Sequence, residues 1–447
     1  MTTLIKQLLN RLFSKKRKCA PAALTPRAAH SISRKNINNN ALKVLYRLHE
    51  HGYSAYLVGG CLRDLLLHKK PKDFDIATNA RPETVKKIFR NALLIGRRFR
   101  IAHIRFGREI IEVTTFRAHS EKKSFKHRMV AAHGMLLRDN VYGTIEEDVW
   151  RRDFTMNAVY YNIADFSLVD YCGGLADIEA KIVRMIGDPV ARYQEDPVRL
   201  LRAIRFAAKL NFTIDPATAE PIPRLASLLQ HVPAARLFEE VLKLFHHGQA
   251  LKTYQLLRDY QLFEQLFPQT AHCLDQETAA DLLEMACQNT DQRVKAGKTV
   301  SPSFLFAVLL WPAVQNKVRQ SLTRHTPLVI AYQQAISHVL AAQQKKIMLP
   351  RRYSSGVREI WELQNRLIQR RSFMIPQLMQ HPRFRAAYDF ILLRAQIQEI
   401  PAEIGEWWTQ FLLLDETQQK KWLESIAEPQ RKKHYFRKKA NLDEQAD

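Results

Sequence analysis

The segment LVGGCLRDLLLHKKPKDFDIATNA, Leu57 to Ala80, constrains the fold of this chain more than any other stretch. An apolar strand over Ala55 to Val58 runs into Gly59 and Gly60 and then into a helix, and a second strand follows around Phe74 to Ala77. Glycine has no side chain in the way, so backbone N–H groups at such a helix start can come close to a phosphate. Two glycines alone would equally make a plain tight turn. The segment is not a Walker A loop, and the one Gly-Lys-Thr of the chain, Gly297 to Thr299, has Gln292 where that loop needs its first glycine. Asp73 and Asp75 stand two apart on the second strand, and residues i and i+2 point to one face, so both carboxylates enter one space. Oxygen ligands alone suit Mg2+, which takes one or two carboxylates and completes its shell with water and phosphate oxygens. The plainer alternative is a solvated strand end. Glu112 is a third carboxylate, set in the apolar run Ile110, Ile111, Glu112, Val113, where an unpaired charge is costly. Its own alternative is an edge strand with Glu112 facing water.

Lys and Arg number 69 against 44 Asp and Glu, a net +25 that fits a chain meeting a polyanion or an anionic membrane surface. The chain has 447 residues, 46% of them apolar, which excludes a purely disordered tail. At roughly 100 to 200 residues per domain it holds about two to four domains. Cys19, Cys61, Cys172, Cys273 and Cys287 form an odd set with no Cys-x-x-Cys pair. That argues against a disulfide framework or a zinc ribbon and for a reducing, cytoplasmic setting. No stretch reaches the ~18 to 20 apolar residues of a membrane helix; the richest, Phe304 to Trp311, ends at Pro312. At the N-terminus Leu4, Ile5, Leu8, Leu9, Leu12 and Phe13 recur at helical spacing among Lys6, Arg11, Lys15, Lys16, Arg17 and Lys18, with no continuous apolar core. The pattern does not match that expected of a signal peptide. It reads either as a basic helix making weak contact with a membrane surface or as a frayed extension.

Five regions are expected. Residues 1 to 39 are a basic extension and linker, since 14 to 39 carry two prolines and end in Asn36, Asn38 and Asn39. From 40 to 195 helix and strand signals alternate. Helices are expected at Ala41 to Glu50, after Gly60 and at Pro82 to Phe89, and two strands, Ile101 to Phe106 and Glu109 to Phe116, turn at Gly107. After about 196 apolar residues return at three and four spacings, giving a helical neck over 196–260 and a helical body over 261–430. The stretch 431–447 is a basic tail. The fold class is an α+β head followed by a mainly α-helical body.

Five motifs in order then carry a resemblance: GG-x-x-RD, K-D-F-D, I-I-E-V-T-T-F-R, RRDFTMNA at Arg151 to Ala158, and EDPVRLLRAIRFAAKL from Glu195. The chain resembles the class II branch of the polymerase β nucleotidyltransferase superfamily, which contains bacterial poly(A) polymerases and CCA-adding tRNA nucleotidyltransferases. The likeness is dense over about 40 to 245. Farther on, HPRFRAAYDFILLRA, His381 to Ala395, and the basic end resemble the poly(A) polymerase subgroup in particular. The resemblance implies a polymerase β-like head in which Asp73 and Asp75 bind the catalytic Mg2+, with Mn2+ as an alternative. It places Glu112 at the third carboxylate of the palm and Asp153 at the essential acid of the RRDFT motif, and leaves open how those two divide the work. In the resembling enzymes the E-D-x-x-R motif reads the base edge, here through Asp196 and Arg199. A carboxylate accepts from an exocyclic amine while a guanidinium donates to a ring nitrogen, an order that adenine and cytosine share. The plain alternative is a capping Asp beside a surface arginine.

Gly59, Gly60, Arg63 and Arg152 fall inside matched motifs and are the expected ATP contacts, arginine being suited by its bidentate fork. Lys72, Arg97, Arg98, Arg100 and Arg151 are further candidates for phosphates, or a solvated basic surface. His103 and His133 have no partner at metal spacing and receive no role. The expected function is template-independent addition of AMP from ATP to RNA 3′ ends by a two-metal mechanism. The expected partners are RNA, ATP, the RNA-decay machinery and, through the N-terminal helix, a membrane surface, so the location would be cytoplasmic and in part membrane-associated. One rival is a CCA-adding enzyme. The other is a noncatalytic RNA-binding protein of the same fold, whose signature would be loss of Asp73 or Asp75, and both are present.

Overall fold

Short apolar runs separated by turns build the head as a twisted sheet with helices laid on it. The computed structural model describes residues 22–96, 100–118, 128–130, 136–139, 141–275, 278–322 and 326–426. The N-terminal basic helix, the tail from 431, Cys19, Arg97, Arg98 and His133 lie outside the described residues. The strands are β1 (Ala23–Thr25), β2 (Ala55–Val58), β3 (Asp75–Thr78), β4 (Ala92–Ile95), β5 (Ile101–Phe106), β6 (Glu109–Thr115), β7 (Arg128–Val130), β8 (Leu136–Asp139), β9 (Val159–Asn162) and β10 (Leu168–Asp170). Eight of them form one sheet in the order β1-β10-β9-β2-β3-β6-β5-β4, while β7 and β8 pair separately. Within the large sheet β3 and β6 run parallel and the other neighbours antiparallel.

Register decides which side chains meet, because directly paired residues share a face. Asp75 pairs with Glu112, Glu112 with His103, Asp75 with Val58, and Val58 with Tyr160. One row thus crosses five strands. β6 lies between β3 and β5 rather than at an edge, so the edge-strand part of the alternative for Glu112 does not hold, although its side chain stays 46% exposed.

The helix Asn39–Glu50 covers the sheet with Ala41, Val44, Leu45 and Leu48, the buried positions of its three-and-four spacing, and packs against β2, β3 and β6. Its start corrects the linker expected up to residue 39. The Asn38 side chain accepts from the N–H of Asn40 and Ala41, and the Asn38 and Asn40 amides each donate to the Glu109 carboxylate at 2.6 Å. With β1 paired to β10 and Ile32 and Ile37 buried, the described residues before Asn39 belong to the head.

The chain divides into two compact units, one ending at Leu225 and the other beginning at Ala226. The first therefore runs past residue 195 and keeps the helix Val198–Leu210, after which Thr213–Ile214 pairs with Ile182–Val183. The described part of the second unit is helical. Its helix Arg351–Gln369 buries Val357, Ile360, Trp361, Gln364 and Leu367 at helical spacing. The indole N–H of Trp361 donates to the Ala307 carbonyl and that of Trp408 to the Leu367 carbonyl, both at 2.9 Å, so these large rings are buried without an unmet donor. The helix Pro302–Ser321 continues through Pro312. Among the described residues no helix is long and apolar enough to cross a membrane.

Candidate active site

β2 ends at Val58, and Gly59 after it caps the helix Gly60–Leu66 with φ at +81°, a conformation only glycine takes without strain. A Cβ at this position would stand 3.5 Å from Asp75 Oδ2 and 3.9 Å from Arg152 Nη1. The strand-to-helix turn therefore brings bare backbone against a carboxylate and a guanidinium. Asp75 opens β3, half-buried, with Glu112 beside it in register. Asp73 lies in the bend before the strand, not on it, and is exposed. The face-sharing expected of two residues on one strand is thus replaced by a turn that still leaves the two charges in each other's field. Burial first, then the Glu112 charge and that of Asp73, against the opposing Arg152, push the Asp75 carboxyl up to about 6.

Arg152 is fixed by a pair that sequence reasoning missed. Its Nε donates to Tyr160 Oη at 2.8 Å and to Asp148 Oδ2 at 3.2 Å, its Nη2 donates to Asp148 Oδ2 at 3.0 Å, and the Tyr160 hydroxyl donates to the same oxygen at 2.6 Å. Burial opposes the charge on Arg152, but Tyr160 and Asp148 outweigh it and raise its pKa. Nη1 is left on the side of Gly59 and Asp75. His103, given no role from the sequence, places Nε2 3.2 Å from Glu112 Oε1.

Two expected ATP contacts stand differently. Arg63 is only 3% exposed; Nε and Nη2 donate to Asp64 Oδ1 and Nη1 to Asn157 Oδ1 at 2.8 Å. It ties the helix Gly60–Leu66 to the turn Thr155–Asn157 and is not presented to a phosphate, because its fork is consumed by internal acceptors. Gly60 is the first residue of that helix, and a Cβ there would meet Arg63 Nη2 at 3.6 Å. Arg100, a further phosphate candidate, pairs with Glu83 at an exposed site.

Asp153 lies in the loop after the helix Ile145–Arg151. Its carboxylate accepts from Arg202 Nε at 2.7 Å and from Arg202 Nη2, from the Phe154 N–H at 2.8 Å and from Asn157 Nδ2 at 3.3 Å. Burial would raise its pKa, but Arg202 and these donors hold it well below the ordinary range. Glu112 and Asp153 thus stand apart in kind: one shares the sheet row with Asp75, the other is clasped by an arginine of the helix Val198–Leu210. Arg199 opens the same helix. It is buried, and its Nη1 donates to the Arg192 carbonyl and to Glu195 Oε2 at 2.8 Å each. Asp196 ends the helix Pro189–Glu195 and its carbonyl accepts from the Arg199 N–H at 3.0 Å; since Arg199 is buried, the surface-arginine half of the plain alternative does not hold.

Among the described residues no three His, Cys, Asp or Glu side chains form a ready metal cage. Asp73 and Asp75 offer two carboxylates, a donor set that fits Mg2+ binding completed by water and phosphate.

Residues 55–184 match the family of the poly A polymerase head domain, 211–274 the family described as the probable RNA and SrmB-binding site of polymerase A, and 324–441 that of the polymerase A arginine-rich C-terminus. Poly(A) polymerase I of Salmonella typhi is 47% identical over 93% of this chain and 92% of its own. A CCA-adding enzyme of Bacillus pumilus is 36% identical over 51% of this chain and 54% of its own. The crystal structure of the Bacillus stearothermophilus CCA-adding enzyme in complex with CTP superposes with a TM-score of 0.56 at 25% identity, covering 82% of this chain and 80% of that one. Nucleotidyltransferase head, helical continuation and near-full-length identity agree: the chain belongs to the poly(A) polymerase I family.

Proposed function

We propose that the chain adds AMP from ATP to RNA 3′ ends without a template and releases pyrophosphate. The observation that supports this most is Asp75 held beside Glu112 and Asp73, its carboxyl raised to about 6, opposite the bare backbone of Gly59 and the Nη1 of Arg152. Carboxylates that repel one another, facing a guanidinium across a space without side chain, suit a cation and a polyphosphate.

Asp73 and Asp75 would hold Mg2+, or Mn2+ in its place, with Glu112 beside them. When bound, the metal makes the RNA 3′-hydroxyl a better nucleophile and offsets triphosphate charge. The chain's own residues do the rest. Gly59 admits the triphosphate to the backbone, and Arg152, immobilised by Asp148 and Tyr160, presents Nη1 to it. Asp196 and Arg199 read the base edge. Asp153 holds Arg202 and so fixes the helix that carries Arg199. The O3′–Pα bond forms as the bond from Pα to the pyrophosphate oxygen breaks, and no protein nucleophile takes part. RNA contact is proposed along 211–274 as well as along the basic surface. Tailed RNA would pass to the decay machinery, and the residues 1–13 would supply the weak membrane-surface contact of a cytoplasmic enzyme.

Purified protein incubated with a generic RNA, Mg2+ and each NTP in turn tests the reading. Long A-only products are expected. Addition that stops at C, C, A on a truncated tRNA would replace the reading with CCA addition, and RNA retention without any extension would leave a noncatalytic binder.

A further inference from the structure

We propose that Arg192 is a positioning residue that couples base reading to triphosphate alignment, so that a nucleotide with the wrong base edge is also held out of line. This assignment rests on the adenylyl-transfer reading above. Arg192 sits in the helix Pro189–Glu195 and is only 7% exposed. Nη1 donates to Glu195 Oε2, the oxygen that also accepts from Arg199 Nη1. Nη2 donates to two backbone carbonyls, Arg151 O at 2.8 Å and Arg152 O at 2.6 Å. Nε is buried without a hydrogen-bond partner, so the fork is oriented by its two Nη ends.

These bonds join the two halves of the proposed site. From the base-reading side the path runs from Arg199 to Glu195 to Arg192. From there it reaches the peptide groups of Arg151 and Arg152, the latter carrying the guanidinium that faces Gly59 and Asp75. Asp153 follows directly in the chain and is clasped by Arg202, which stands three residues after Arg199 on the same helix. The helix Val198–Leu210 therefore holds the segment 151–153 at two points: Arg202 grips a side chain, and Arg192, through Glu195, grips the main chain. One carboxylate oxygen is shared by two buried arginines, so a base edge pulling on Arg199 would change its hold on Arg192. Burial and the Arg199 charge lower the Arg192 pKa to about 10, which still leaves it charged at neutral pH. Lysine cannot replace it, because a single ammonium does not offer a planar fork able to bridge a carboxylate and two carbonyls.

The full chain is assayed as parent, Arg192→Gln, Arg192→Lys, Arg199→Lys and the double variant Arg192→Gln/Arg199→Lys. For each, kcat and KM are measured for ATP and for GTP on one RNA primer, with thermal unfolding recorded alongside. A residue that only staples the helix would change the unfolding midpoint and leave nucleotide preference alone. The expected result is a joint loss in Arg192→Gln: kcat for ATP falls about 10- to 100-fold and the ATP-over-GTP preference shrinks about tenfold or more. Arg192→Lys should recover little of either. In the double variant the losses should not multiply, since both substitutions cut one path. If Arg192→Gln does not fold, Glu195→Gln cuts the same path from its other side and must show the same joint loss. Unchanged preference in a folded variant, or losses that multiply in the double variant, overturns the assignment while an active parent leaves the adenylyl-transfer reading standing. A parent that adds no AMP overturns both.

Discussion

Asp75 and Asp153 are both acidic residues of the proposed site, yet their charges act on the fold in opposite directions. The Asp75 carboxyl is raised from 3.8 to about 6, so its charged form is disfavoured in the folded, metal-free protein. The resulting penalty is absent below about pH 4, grows as pH rises from there to about 6 and holds above it. Asp75→Asn should therefore abolish AMP addition while leaving metal-free stability at pH 8 unchanged or higher, by on the order of 1 to 3 kcal/mol at about 1.4 kcal/mol per pKa unit. Urea unfolding at pH 5 and pH 8, beside a primer-extension gel, checks this; a variant that loses stability and activity together would make Asp75 a structural acid. Asp153 has a depressed pKa, so its contribution is full above its unfolded value near 3.8 and fades as pH falls below it. Asp153→Asn should cost about 1 to 3 kcal/mol at pH 7 by weakening the pairing of Arg202, and should flatten the acid limb of the stability curve. A variant as stable as the parent, with the same acid limb, would show that the Arg202 clasp contributes nothing. Asp73, Asp75, Glu112, Gly59 and Arg152 were legible because they sit inside short motifs. Tyr160, His103 and Arg202 were not, since their partners are set by cross-strand register and by a helix contact that no local spacing reveals, whereas Asp148 beside Arg152 and Arg192 beside Glu195 stand at plain i,i+4 and i,i+3 spacing and were passed over.

Elements with strong local patterns were read almost to the residue: Ala55–Val58, Ile101–Phe106 and the helix over Asn39–Glu50 stand where alternation and three-and-four spacing put them. β1, β4, β9 and β10 were missed. Each has only three or four residues, too few to show a period, and β1 lies in a basic, Pro-bearing stretch whose composition resembles a linker. The Asn-rich run misled for a physical reason. Asparagine marks both loops and helix starts, and here Asn38 closes the first turn while its amide and that of Asn40 clamp Glu109. Asn38→Ala should accordingly destabilise the head by about 1 to 2 kcal/mol, the cap and one carboxylate bond together. Thermal unfolding with the nucleotide-addition rate measured at low temperature separates this from a site effect. An unchanged midpoint would return the run to the status of a linker.

For the molecule as a whole the governing quantity is its charge. At +25 overall, RNA should be gripped mainly through phosphates, so affinity should drop steeply with salt and depend little on primer sequence. Ending the chain before Arg431 removes six basic and three acidic residues. Primer binding should weaken, its salt slope should become shallower and products per encounter should shorten, while single-nucleotide addition at saturating RNA stays close to that of the parent. Titration of both chains against one oligonucleotide across a salt series decides it, and equal slopes would mean that the tail takes no part in the grip. The row from His103 through Glu112 and Asp75 to Val58 and Tyr160 bears on synthesis rather than binding. Its members are spread from Val58 to Tyr160, and the clasp on Asp153 waits for Arg202. At roughly 5 to 20 residues per second the ribosome needs on the order of ten seconds to pass from the first to the last of them. A nascent chain therefore carries the glycine turn and the acidic pair out of the ribosome seconds before the residues that complete their row and clasp Asp153 have been made.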